Sequence, residues 1–154
     1  MKLRLAQCST IISFALVMGV FWGTWFALSR TIEGFRPQTF LDIGQTAIRN
    51  LAVPMRILMP LSLLSGLLLL VLLPKRSPAF TFAAAGFLLM VCALTITLAV
   101  EVPIDNLIKG WTVATMPSDW QQLRDRWEFY HSLRTFGSIG ALSLVTISSL
   151  IDRK

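Results

Sequence analysis

One histidine, one tyrosine and two cysteines are all that this 154-residue chain has of those types, and each scarcity excludes something. A single imidazole, His131, cannot supply the paired Glu-x-x-His motifs of a di-iron bundle, nor both axial ligands of a bis-histidine haem. Cys8 and Cys92 cannot build a disulfide framework, and Cys92 falls in an apolar run where a thiol behaves as a small hydrophobe. Gly-x-Gly-x-x-Gly, a phosphate loop and His-Glu-x-x-His are absent, which leaves nucleotide binding and zinc proteolysis without a signature. Charge is scarce as well, at 14% of residues, and it is missing altogether from residues 5–29, 57–74, 77–100 and 135–151. A soluble domain of this size scatters charge through every helix, so that class is excluded.

What is present is apolar. Hydrophobic residues make up 55% of the chain and the mean hydropathy is +0.67. Roughly 20 apolar residues span a hydrocarbon core of about 30 Å as a helix, so each charge-free run is near the length of one crossing. These runs predict a single integral membrane domain over 1–154. Its fold class is all-α, a transmembrane four-helix bundle with crossings at about 9–29, 56–74, 79–101 and 135–151. An extracytoplasmic cap of helices and loops over 30–55 and 102–134 completes it. A chain embedded in lipid has membrane lipids as its neighbours, and its net charge of +6 is then no sign of nucleic-acid binding. Leu5-Ala6-Gln7-Cys8 precedes the apolar run and is therefore no lipoprotein cleavage site. The first run is too long for a signal peptide and lacks a small-residue cleavage site at Gly34-Phe35-Arg36, so it is expected to stay as an anchor.

Four crossings put both termini on one side with the turn Pro74-Lys75-Arg76-Ser77-Pro78. Lys2, Arg4, Lys75, Arg76, Arg153 and Lys154 against Asp152 give that side a formal +5 in very short segments, and the other side +1. The density of Lys and Arg in short loops predicts cytoplasmic termini, in a bacterial inner membrane. Pro54 and Pro60 mark the start of the second crossing, after a short helix over 39–51, with a kink expected at Pro60. Pro103 is expected to interrupt the third crossing after Glu101, and the run Leu67 to Leu73 to face lipid. The fourth crossing is rich in Gly, Ala, Ser and Thr, whose small side chains let helix backbones approach, and it is expected inside the bundle.

The chemistry concentrates just before that fourth run. No proline or glycine occurs between Ser118 and Phe136, and Pro117-Ser118-Asp119 supplies a helix start, so one helix is expected from about Ser118 to Ile151. At 100° per residue Trp120, Arg124, Trp127, His131 and Arg134 share one face, with Glu128 on its flank. Glu101, in the last turn of an apolar helix, requires a cationic partner, for which Arg134 or Arg30 is at the right depth. Asp105, Asn106 and Trp111 follow it.

Glu101-Val102-Pro103-Ile104-Asp105-Asn106 leading to Trp111, then Pro117-Ser118-Asp119-Trp120, Leu123-Arg124, Arg126-Trp127-Glu128, His131 and Arg134, resembles a family of small four-helix membrane proteins. That family includes fungal anthrone oxygenases and many bacterial members with no assigned reaction. The likeness covers the second half of the chain, and in the first half extends to hydropathy and Leu28-Ser29-Arg30-Thr31-Ile32. Glu101 and Asp105 stand where the family's motif has asparagine. The resemblance implies a four-helix bundle and, for a few members, oxidation of a polycyclic phenol by dioxygen with no cofactor.

Two functional readings follow. In the first, an apolar aromatic small molecule enters from the bilayer and is oxidised. His131 is then a general base, Arg124 and Arg134 hold the oxyanion, and Glu128 or Glu101 orients the site. Trp120, Trp127 and Trp111 form walls, with Asn106 and Arg30 among the binding residues. In the second, the chain is a non-catalytic membrane module that binds a lipid, a quinone or a partner protein, and its polar cap is a clasp. Tryptophans at a membrane boundary also serve as anchoring belts, and His131 paired to Glu128 or Glu101 also serves to lock loop to helix. Neither reading calls for a metal; a single ion held by Glu101, Asp105, Glu128 and His131 is the only constellation available to one. A cavity beneath Trp127 and His131 separates the enzyme from a solid bundle.

Overall fold

The computed structural model describes residues 1–151, so Asp152, Arg153 and Lys154, counted above for topology, lie outside the described residues. The described residues form helices and turns, with no strand among them. Helix α1 (Lys2–Thr24) runs on through a π-helical turn (Trp25–Ser29), and a 3-10 turn (Ile32–Gly34) leads to α2 (Pro37–Leu72). Helix α3 (Pro78–Ile96) passes through a second π-helical turn (Thr97–Glu101) into α4 (Val102–Gly110), and α5 (Trp120–Ile151) closes the chain. Four continuous helical stretches, Lys2–Ser29, Pro37–Leu72, Pro78–Gly110 and Trp120–Ile151, are long and apolar enough to cross a membrane.

Two expectations about helix ends and one about a lipid-facing run are corrected. The short helix at 39–51 and the second crossing are one helix, α2, which carries Pro54 and Pro60 in its interior. A proline removes one hydrogen bond and crowds the preceding turn, but inside a bundle neighbouring groups absorb that loss. Pro103 does not interrupt the third crossing either. It sits in the first turn of α4, where its missing N–H costs little, and the helix passes straight through. The leucine run at 67–73 is not uniformly lipid-facing. Leu67, Leu68 and Val71 are exposed, whereas Leu69 and Leu73 are buried in the core, as the period of a helix packed on one side requires. The turn between α2 and α3 forms as expected, with the Phe80 N–H donating to Ser77 Oγ at 3.1 Å and Pro78 opening α3.

Close approach of α3 and α5 explains the small residues of the last crossing. A methyl group added at Gly86 would lie 2.8 Å from the Ala141 carbonyl oxygen. Ser148 Oγ donates to Ala79 O across the same interface at 2.7 Å, and Ser13 and Ser65 join α1 to α2 at 2.8 Å. Such contacts hold helices together in lipid, where apolar side chains gain nothing by leaving the solvent. The side chains bury themselves in two apolar clusters. One, near the termini, contains Phe14, Val17, Leu69, Met90, Ala141 and Val145. The other, at the far end, contains Ile32, Phe40, Leu41, Ile104, Ile108 and Trp120. The buried charged or ionisable side chains Glu101, His131 and Arg134 fall between them.

Candidate functional site

Helix α5 is about 48 Å long at the standard rise, so it starts in the far apolar cluster at Trp120 and delivers His131 and Arg134 between the two clusters. Those side chains meet the two π-helical turns. His131 and Arg134 are buried, and Glu101 and Thr97 belong to the turn between α3 and α4. A π turn widens the backbone by one residue and often marks a functional position. Here one such turn carries both groups that face Arg134.

Arg134 is the hub. Its Nε and Nη2 lie 3.2 and 2.8 Å from His131 Nδ1, and its Nη1 donates to Thr97 Oγ1 at 2.9 Å. Thr97 passes its own proton to the Ala93 carbonyl at 2.8 Å, so its oxygen accepts from the guanidinium. Glu101 Oε2 is 2.8 Å from Arg134 Nη2, close enough for an ion pair but misdirected for a hydrogen bond. Neither carboxylate oxygen of this buried glutamate has a hydrogen-bond partner among the described residues. The guanidinium also stands 4.4 Å over the Phe21 ring. Because a guanidinium only donates, His131 Nδ1 must be the accepting nitrogen, which puts the ring proton on Nε2. There it donates to the Phe21 carbonyl at 3.2 Å. Both ring nitrogens are therefore engaged.

The imidazole stacks on Trp127 at 4.8 Å with 3° between the planes, and the Trp127 indole N–H donates to Asp105 Oδ1 at 3.2 Å. Asp105, Trp127, His131 and Arg134 thus form a connected polar wall. This wall borders a cavity of about 530 Å³, inside the roughly 300–1,000 Å³ range of small-molecule sites. The remaining lining is mainly apolar. Phe21, Thr24 and Leu28 come from α1 and its π turn, and Ile43, Ala47, Leu51, Met55, Met59 and Pro60 from α2. Leu94, Leu98 and Val102 complete it.

Of the residues expected at the site, His131, Arg134, Arg124, Trp127 and Asn106 line this cavity. The others do not. Glu101 is buried behind Arg134, and it pairs with that residue, not with Arg30. Trp120 shares the helical face but lies 11 residues from His131, and an angular projection ignores that rise of about 16 Å. It packs on Phe40 at 4.8 Å in the far apolar cluster, beside which Trp111 is also packed. Arg30 is exposed over the Phe26 ring, and half-buried Glu128 makes no hydrogen bond or ion pair with any described residue. Arg124 pairs with Asp125 at 2.7 Å. No three His, Cys, Asp or Glu side chains converge to hold a metal ion among the described residues, so the constellation of Glu101, Asp105, Glu128 and His131 is not assembled. The sequence reading missed Asp105 as a lining residue and the whole α2 wall with Arg56. An isolated Arg in an apolar stretch was the one signal for Arg56; the α2 apolar residues give none.

The family model for anthrone oxygenase matches residues 49–144, more than half of the chain. The chain belongs to the anthrone oxygenase family. The match covers most of α2, all of α3, α4 and the polar wall, so the family's shared sequence coincides with the elements that enclose most of the cavity. No curated protein and no solved structure matches the chain. In this anthrone oxygenase family member, four helices are long and apolar enough to span a membrane. The polar wall lies on the half of the bundle away from Met1 and the turn that joins α2 to α3.

Proposed function

We propose that this protein takes a flat, largely apolar phenolic ring system from the bilayer into the cavity and oxidises it with dioxygen without a bound cofactor. The observation that carries the reading is the cavity itself, apolar over most of its wall and closed on one side by Asp105, Trp127, His131 and Arg134. Membership of the anthrone oxygenase family supports the reaction class. The far face of Trp127 from His131 offers a stacking surface, and Arg134 and Arg124 are donors for an oxyanion. Cytoplasmic termini in a bacterial inner membrane put the cavity on the extracytoplasmic side of this reading.

The chemistry balances without an external reductant. A methylene flanked by two phenolic rings loses a proton to a base, and the resulting anion passes one electron to dioxygen. The two radicals combine into a peroxide, which takes back a proton. Loss of water then leaves a ketone, so one dioxygen is consumed per carbonyl and water formed. Asp105 is the lining group best suited to accept the first proton, because among the described residues its one hydrogen bond comes from Trp127 and the carboxylate has lone pairs to spare. His131 is a second reading for the base, favoured by its stack on Trp127 at the cavity wall. It requires Arg134 to leave Nδ1 first.

Anthrone incubated with the purified protein in detergent tests the proposal. The expected result is quinone formation well above spontaneous oxidation, with one dioxygen consumed per quinone and one labelled oxygen retained from ¹⁸O₂. Replacing the base slows turnover by about 10²–10⁴-fold, so Asp105→Asn and His131→Asn decide between the two assignments. A rate no greater than that without protein refutes the function.

A further inference from the structure

Arg56 lies within α2, in one of the four membrane-length helices, and lines the cavity. It makes no hydrogen bond, ion pair or ring contact with any described residue. Lys109, exposed on α4, lines the same cavity and donates to the neutral Asn106 Oδ1 at 3.1 Å. The other two lining cations are compensated, Arg124 by Asp125 and Arg134 by Glu101. Asp105, the lining acid, accepts from Trp127 and is shared electrostatically between Arg134 and Lys109. The chamber therefore carries an excess of positive charge: Arg56 on α2 has no carboxylate partner among the described residues, and Lys109 on α4 shares Asp105 with Arg134. An ionisable group in a membrane-spanning stretch is costly unless something pairs with it, and no described residue pairs with Arg56.

We infer that Arg56 and Lys109 bind an anionic group carried by the ligand itself, so that the preferred substrate is a flat aromatic bearing a carboxylate or similar anion. The inference rests on the proposed function and narrows its substrate class. Arginine and lysine near a helix end also reach for lipid phosphates, which is the competing source of the same anionic chemistry. Two features favour the ligand. Both cations belong to the wall of one cavity, and they come from separate elements, α2 and α4, that both border the ring-sized space.

Energy transfer from the protein's tryptophans to anthracene-2-carboxylate and to the neutral anthracene-2-carboxamide measures binding to two probes of one shape. The protein is first held in uncharged detergent, and phosphatidylglycerol is then added. The expected result is a preference for the carboxylate of about tenfold or more, the worth of one charge-assisted hydrogen bond. Arg56→Gln and Lys109→Gln should each reduce that preference, and Arg56→Lys should restore most of it. Phosphatidylglycerol should compete only weakly. Equal affinity for the two probes overturns the inference and leaves the cavity reading standing. Strong displacement by phosphatidylglycerol of a carboxylate that shows no ring-dependent affinity overturns it in favour of lipid. If neither probe binds, the proposed function fails and the inference falls with it.

Discussion

Glu101→Gln is the sharpest perturbation available, because it removes a charge and almost no volume. Glu101 is 1% exposed and the Arg134 side chain 10%, and their closest atoms are 2.8 Å apart. At that separation an effective dielectric of about 20 gives a gross attraction of roughly 6 kcal/mol. Taking both ions out of water costs several kcal/mol each, so the pair as a whole contributes little net stability. Removing one partner is another matter, since the buried guanidinium then keeps the neutral acceptors His131 Nδ1 and Thr97 Oγ1 and, of the two carboxylates that act on it, only Asp105. Stranding a buried charge costs about 3–5 kcal/mol, and the glutamine oxygen together with Asp105 places this variant near the lower end. Reversible unfolding in mixed micelles measures it. The double variant Glu101→Gln/Arg134→Gln should be more stable than the sum of the two single losses implies, because neither charge remains stranded. A single variant within about 0.5 kcal/mol of the parent, or strictly additive losses, would refute the coupling.

The same unfolding assay checks three further expectations. Gly86→Ala should cost about 1–3 kcal/mol by driving a methyl group against the Ala141 carbonyl, whereas Gly19→Ala, with open space around it, should cost nothing; equal effects would sink the close-approach argument. Ser148→Ala removes the hydroxyl that crosses to Ala79 O and should lose about 0.6–1.7 kcal/mol, while Ser143→Ala, whose hydroxyl bonds only within α5, should lose less. Trp127→Phe keeps an aromatic ring for His131 to stack on but leaves Asp105 without its donor, for a loss of about 1 kcal/mol. A loss several times larger would mean that the indole ring, not its N–H, holds the wall together.

What the sequence disclosed and what it hid divide along a physical line. Long charge-free runs report burial in lipid directly, since an unpaired charge in hydrocarbon is costly, and the four spanning helices were legible for that reason. The angular period of α5 placed Arg124, Trp127, His131 and Arg134 on one face, and all four line the cavity. That projection has no axial coordinate, however, and so it also gathered Trp120, which packs against Phe40 well above His131. Helix ends were misread where proline was taken as a boundary, because Pro54 and Pro103 are both accommodated within helices that a bundle supports on several sides. The α2 wall was invisible for a different reason. Ile43, Ala47 and Leu51 have the same chemistry whether they face lipid, a neighbouring helix or an empty chamber, and only the packing of α1, α4 and α5 opposite them decides which. A cavity is made by what fails to fill it, and the hydropathy of the residues that surround it carries no record of that space.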